Sequence, residues 1–201
     1  MKITSVTQLR ALYGQPGERA VKKELSRLDR HMQRFIALSP LVVLASSDAQ
    51  HQLDASPRGG APGFVKLRDE TTLWLPDAPG NNRLDTLENV LATASLGLLF
   101  FIPGVDEMLR VQGRASLCTA PEILHAFSSE PRPPKLVIEV EVQSAYLHCA
   151  KAMMRSRLWH PQSRVDRNVL PTMGEMIKEQ AQLSEPAESQ EEMLRRYADS
   201  L

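Results

Sequence analysis

The stretch MLRVQGRASL, residues 108–117, decides the fold, because its character changes at every residue. Leu109, Val111, Gly113, Ala115 and Leu117 fall on one side of an extended chain, and Arg110, Gln112, Arg114 and Ser116 on the other. Successive side chains of a strand point to opposite faces, so the pattern predicts a half-buried strand. Towards the C-terminus, past a break at residues 131–134, Leu136, Ile138, Val140 and Val142 alternate with Glu139, Glu141 and Gln143 and predict another. Towards the N-terminus, residues 96–102 read as an apolar strand, and Leu84, Leu87, Val90 and Leu91 mark a helix before it. Residues 71–75 and 64–67 read as two short strands joined by the Asp69-Glu70 turn, and residues 41–45 as a buried strand. The glycine- and proline-rich residues 54–63 read as a connector. Six short strands with one helix crossing between two of them favour an α+β, mainly β, antiparallel barrel over a doubly wound parallel sheet.

Helices flank this region. Residues 5–13 predict a short helix stopped by Gly14, and a second from Glu18 carries Val21, Leu25, Leu28, Met32, Phe35 and Ile36 at three- and four-residue steps. Ser39-Pro40 ends it, because the residue before proline is pushed out of the helical region. Residues 149–159 are basic and amphipathic, and residues 172–201 form a polar helical tail with a thin apolar face at Met173, Met176, Ile177, Met193, Leu194 and Tyr197. The expected organisation is a barrel domain with its N-terminal helices over residues 1–160 and a helical extension over 161–201.

Composition removes several function classes. The 201 residues carry 24 Lys+Arg against 24 Asp+Glu, so no global field draws the chain to nucleic acid or an anionic membrane. No apolar run is long enough to span a bilayer, and the N-terminus lacks the apolar core of a secretory signal, so a cytoplasmic location is expected. Cys118 and Cys149 are far apart, which argues against a disulfide framework or a zinc site. His148 and Cys149, as strand neighbours, point to opposite faces and read as packing residues rather than metal ligands.

Three segments carry candidate chemistry. Residues 54–60 present Ser56, the fixed bend of Pro57, the Arg58 guanidinium and two glycines; small residues let backbone N–H groups approach an anion and arginine donates two parallel hydrogen bonds to it. A surface turn would use the same residues. Residues 79–85 form a polar turn into a helix start, where Asn81 or Asn82 would cap and Arg83 would stand beside free N–H groups; a plain cap with a solvated arginine is the simpler account. Arg110 and Gln112 would meet a heteroaromatic edge or a phosphate on one sheet face, or else are ordinary solvated polar residues.

In this order the segments resemble a known family, the pyridoxamine 5'-phosphate oxidase-related, FMN-binding split barrels. The resemblance is carried by DASPRGGAPGFVKL at 54–67, LPDAPGNNRLDTLENVL at 75–91, GLLFFIPGVDEMLRVQGRA at 97–115 and HCAKAMMRSRLW at 148–159. It implies a six-stranded split barrel that forms a homodimer with two FMN molecules in the subunit interface. It further implies that Ser56, Pro57 and Arg58 touch the phosphate and ribityl chain, that Phe64 and Val65 line the ring, and that Asn81, Asn82 and Arg83 complete the phosphate clamp. Arg110 and Gln112 match the strand crossing the dimer interface, and Lys151, Arg155 and Trp159 the arm reaching the partner's flavin. The strand signature and substrate arm of the true pyridoxamine phosphate oxidases are not found, so an FMN oxidoreductase of a small, unidentified molecule is expected rather than pyridoxal phosphate synthesis.

The absence of GxGxxG, GxSxG, HExxH and P-loop patterns removes the usual signals of a nicotinamide Rossmann domain, a serine hydrolase and a zinc protease. Use of a deazaflavin or a nicotinamide donor, or a non-catalytic flavin or haem carrier or sensor of the same fold, are the other readings that the resemblance admits.

Overall fold

The computed structural model describes residues 2–77 and 80–198. Seven strands form one antiparallel sheet: β1 (Leu41–Ser47), β2 (Leu53–Gly59), β3 (Lys66–Leu67), β4 (Thr72–Pro76), β5 (Ser95–Phe101), β6 (Met108–Cys118) and β7 (Val137–His148). Their order is β2-β1-β5-β6-β7-β4-β3, and each neighbouring pair is antiparallel. The decisive stretch is β6, a central strand, with Leu109, Val111, Gly113 and Ala115 buried and Arg110, Gln112, Arg114 and Ser116 exposed.

The strand beyond the expected six is β2, which lies in the segment read as a connector. It pairs along its whole length with β1, from Leu41 opposite Gly59 to Ser47 opposite Leu53. An edge position explains why it escapes a hydrophobic pattern: Asp54, Ser56 and Arg58 turn inward while Leu53, Ala55, Pro57 and Gly59 are exposed. Proline is tolerated in a sheet at just such an edge. At the other edge the expected strand 64–67 shrinks to β3, and Phe64 and Val65 enter the core instead.

The long helix expected from Glu18 is two helices, α2 (Glu18–Lys22) and α3 (Arg30–Leu38), which follow α1 (Val6–Tyr13). Between them the backbone turns extended so that Leu25 exchanges hydrogen bonds with Ala145 of β7, N–H to O at 3.0 and 2.8 Å. Asp29 then restarts the helix by accepting from the backbone N–H groups of His31 and Met32, both at 2.9 Å. Leu28, Met32, Phe35 and Ile36 reach the core, whereas Val21 is exposed.

Strand β7 also departs from simple alternation. A bulge opposite Gln112 and Gly113 leaves Gln143 unpaired, so that Ile138, Val140 and Val142 face inward before it and Ala145 after it. Gly113 makes the bulge possible, because a Cβ there would lie 2.3 Å from the carbonyl oxygen of Glu141. One core joins α3, the inner sheet face and Leu87 and Val90 of α4 (Asp85–Thr93), the helix that crosses between β4 and β5.

The chain divides into two compact units, Met1–Arg155 and Ser156–Leu201. The first also holds α5 (Pro121–His125), and α6 (Lys151–Ser156) ends at the division. In the second, two 3-10 turns, Pro161–Ser163 and Arg167–Val169, precede α7 (Met173–Gln180) and α8 (Gln190–Ala198). Thr172 and Glu175 close a reciprocal capping box on α7. Among the described residues no helix is long and apolar enough to cross a membrane.

Candidate functional site

The inward alternation of β2 aims Asp54, Ser56 and Arg58 at α4, and the first two are absorbed in a polar seam. Ser56 Oγ donates to Asp54 Oδ2 at 3.0 Å and Thr86 Oγ1 donates to the same oxygen at 2.5 Å. Along the same helix face, Asn89 Nδ2 donates to Ser46 Oγ at 3.0 Å and Thr93 Oγ1 to the carbonyl of Ser47 at 3.1 Å. Thr86 and Asn89 are buried, so these bonds satisfy groups that would otherwise be costly to desolvate.

Arg58 reaches past the seam into a cavity of about 240 Å³, which is lined by Asp77, Gly80, Asn81, Asn82, Arg83, Leu84, Leu87, Lys135 and Leu136 as well. The two arginine-bearing segments therefore converge. Arg58 Nη1 lies 3.5 Å from Asp77 Oδ1, while its Nε is buried with no hydrogen-bond partner among the described residues. Burial pushes the Asp77 carboxyl above its usual value, and the nearby Arg58 offsets this only in part. Arg83 is more exposed and turns to Asp85, with Nε and Nη2 at 3.1 and 3.0 Å from Oδ2.

The expected asparagine cap is not formed. Leu84 occupies the N-cap of α4 with no side-chain hydrogen bond, Asn81 Oδ1 accepts from the backbone N–H of Arg83 at 3.0 Å, and Asn82 adopts a left-handed φ of 59°. Pro79, which opens that turn in sequence, lies outside the described residues. Among the described residues the cavity sets Arg58, Arg83 and Lys135 against one lining carboxylate, Asp77, at a helix start whose first turn carries Asp85 and Glu88, so the cations are what an anion would meet there.

The remaining expected residues lie elsewhere. Pro57 is on the exposed face of β2, and Phe64 and Val65 are core residues at 8% and 3% exposure. Arg110 and Gln112 stand on the outer sheet face, where Arg110 Nη1 donates to the Tyr146 hydroxyl at 3.2 Å and Gln112 Oε1 accepts from Ser144 Oγ at 3.1 Å. Arg110 borders an apolar depression of about 420 Å³ with Val43, Ala45, Leu99 and His148, and Gln112 a neighbouring hollow of about 530 Å³. Lys151 and Arg155 are exposed on α6, and Trp159 belongs to the second unit. None of these lines the Arg58 cavity. Sequence reading missed Asp77, Lys135 and Leu136 as cavity residues: Asp77 lies in the 75–91 stretch of the family resemblance but was assigned no role there, and Lys135 and Leu136 stand just before β7 with no local motif around them.

The sequence profile of pyridoxamine 5'-phosphate oxidase matches residues 28–149, more than half of the chain. The chain belongs to the pyridoxamine 5'-phosphate oxidase family. The matched region contains all seven strands, α4 and the whole Arg58 cavity, and leaves out Lys151, Arg155 and Trp159. Comparison with the curated proteins finds no match. Among solved structures, HupZ from Group A Streptococcus superposes with a TM-score of 0.50 at 18% identity, covering 60% of this chain and 93% of that one. A pyridoxamine 5'-phosphate oxidase candidate from Lactobacillus delbrueckii superposes at 0.50 and 17% identity, covering 62% of this chain and 98% of that one. At such identities the likeness is one of fold.

Proposed function

We propose that this member of the family is a homodimeric, FMN-binding oxidoreductase whose Arg58 cavity holds the cofactor phosphate. The observation that carries the reading is the buried Nε of Arg58, without a hydrogen-bond partner among the described residues, in a cavity that also collects Arg83, Lys135 and the start of α4. A phosphomonoester bears nearly two negative charges at neutral pH and three acceptor oxygens, and it binds out of water only where cations and donors replace its hydration. Arg58 would meet it from β2, Asn81, Asn82 and Arg83 from the turn before α4, and the first N–H groups of α4 from below. Ser56, held on Asp54, would keep the β2 backbone in place beside the ribityl chain. Phe64 and Val65 have their side chains in the core, so any contact with the ring would be through their main chain.

FMN, when bound, supplies hydride and electron transfer at its ring, and the chain's own part is binding, orientation and exclusion of water. The sheet would curl as a split barrel, and its outer face would meet a second copy. That face offers Val43, Ala45, Gly97 and Leu99 with Arg110 and Gln112 at their margin, an apolar patch with a polar rim of the kind found at subunit contacts. There Arg110 and Gln112, and Lys151 and Arg155 from α6, would reach the partner's flavin.

The test is an absorbance spectrum of the native protein with mass identification of any ligand released by heat, followed by FMN titration of Arg58→Ala, Arg83→Ala and the pair. A charge-assisted contact contributes roughly 1.5–3 kcal/mol, about ten- to hundredfold in affinity. Arg58→Ala is expected near the upper end and the exposed Arg83→Ala near the lower, with the pair worst. Unchanged FMN affinity in the double variant defeats the clamp. A haem spectrum would give the site to the carrier or sensor reading.

A further inference from the structure

Within the cavity one group works against an anion, and its placement is specific. Asp77 follows the last residue of β4, and its backbone N–H donates to the carbonyl of Leu136 at 3.1 Å, so the main chain that carries it is tied to the start of β7. Its carboxylate faces Arg58 through a single contact, Nη1 to Oδ1 at 3.5 Å, with both side chains largely shielded, at 25% and 19% exposure. The Arg58 Nε has no hydrogen-bond partner among the described residues. One terminal nitrogen of the guanidinium thus lies near a carboxylate, and a buried donor has no acceptor among the described residues.

We propose that Asp77 is the resident counter-ion of Arg58, a carboxylate that a phosphomonoester must displace or see protonated before it can take the guanidinium. The inference rests on the phosphate reading of this cavity. The charged residues that line the cavity with Asp77 are Arg58 on β2, Arg83 on the turn before α4 and Lys135 ahead of β7, and Asp85 of α4 pairs with Arg83. Asp54 also faces inward from β2 but is held by Ser56 and Thr86. Asp85 already holds Arg83, which leaves Asp77 as the lining carboxylate set against an incoming anion. An anion with two negative charges and an ionised carboxylate compete for the same cation, so binding is linked to proton uptake at Asp77 or to its rotation away. Burial already pushes its carboxyl above the usual range, and the facing Arg58 offsets this only in part, which favours proton uptake there as pH falls. As pH rises through that titration the carboxylate becomes fully charged and affinity falls.

The experiment is titration of the full-length protein with FMN, followed by flavin fluorescence, and with inorganic phosphate as competitor, from pH 5 to pH 9. Wild type, Asp77→Asn and Asp77→Ser are compared. The ligand's own ionisation near pH 6 is common to all three and cancels in the ratio of affinities. Both variants are expected to bind FMN more tightly at pH 8, by roughly tenfold, what one competing charge-assisted contact is worth. The advantage is expected to shrink towards pH 5, and inorganic phosphate to compete better in both variants. Wild type that binds FMN while the variants bind it equally or more weakly at every pH overturns this role for Asp77 and leaves the clamp standing. Failure of all three proteins to bind FMN or inorganic phosphate overturns the phosphate reading and this inference together.

Discussion

Replacing Gly113 by alanine adds one methyl group at the bulge that reverses the facing of β7. The new Cβ would lie 2.3 Å from the Glu141 carbonyl oxygen, 2.8 Å from Val140 Cγ1 and 3.1 Å from the Glu141 carbonyl carbon. The nearest atom belongs to the backbone of a strand paired on both sides, so it cannot swing aside as a side chain would. Overpacking of this kind costs up to about 3 kcal/mol, and the lower flexibility of the unfolded alanine chain returns at most about 1 kcal/mol. The net loss of about 2 kcal/mol corresponds to a drop of about 4–8 °C in Tm for a chain of this length. Gly97→Ala is the internal control, because its Cβ would stand 3.7 Å from Ala45 Cβ, an ordinary contact. Thermal melting followed by circular dichroism, with both variants beside wild type, measures the difference. Equal melting temperatures for Gly113→Ala and Gly97→Ala would refute the argument that close backbone approach fixes the bulge.

Thr86→Val buries a methyl at a position only 2% exposed and removes one of the two donors to the half-buried Asp54 carboxylate, a loss of about 1 kcal/mol, so Tm is expected to fall by a few degrees on thermal melting. The Asp69 carboxyl is held below its ordinary value, first by the Thr71 backbone N–H and then by its hydroxyl. The stabilisation of this turn is therefore present above the ordinary carboxylate pKa and is lost as pH falls through the lowered one. The wild-type Tm advantage over Asp69→Ala is expected to disappear on acidification, and a constant advantage from pH 7 to pH 2 would contradict this. If the outer sheet face meets a second copy, Leu99→Arg is expected to yield a monomer by light scattering.

How legible the fold was in sequence depended on where each element sits. β6 is a central strand with one face in the core, so its two-residue period stands in the sequence plainly. β2 is an edge strand whose inward residues, Asp54, Ser56 and Arg58, pair with polar partners instead of oil, so hydrophobicity carries no trace of it. The run of apolar residues from Val21 to Ile36 suits one helix, yet the pairing of Leu25 with Ala145 and the cap at Asp29 outweigh it, contacts that no local window contains. In the site, Arg58 and Arg83 were legible through residue types that suit an anion and through family resemblance. Asp77 and Lys135 were not, because only the pairing of β4 with β7 brings their strand ends together.

The polar seam on α4 has a mechanical meaning. A cylinder resting on leucines alone can roll a few degrees at little cost, since apolar contact is indifferent to direction. Thr86, Asn89 and Thr93 instead bolt the cylinder to β1 and β2 at three heights, through bonds that weaken when their angles change. Its azimuth is fixed, and with it the wall that Leu84 and Leu87 give the cavity of Arg58, whether or not anything lies inside.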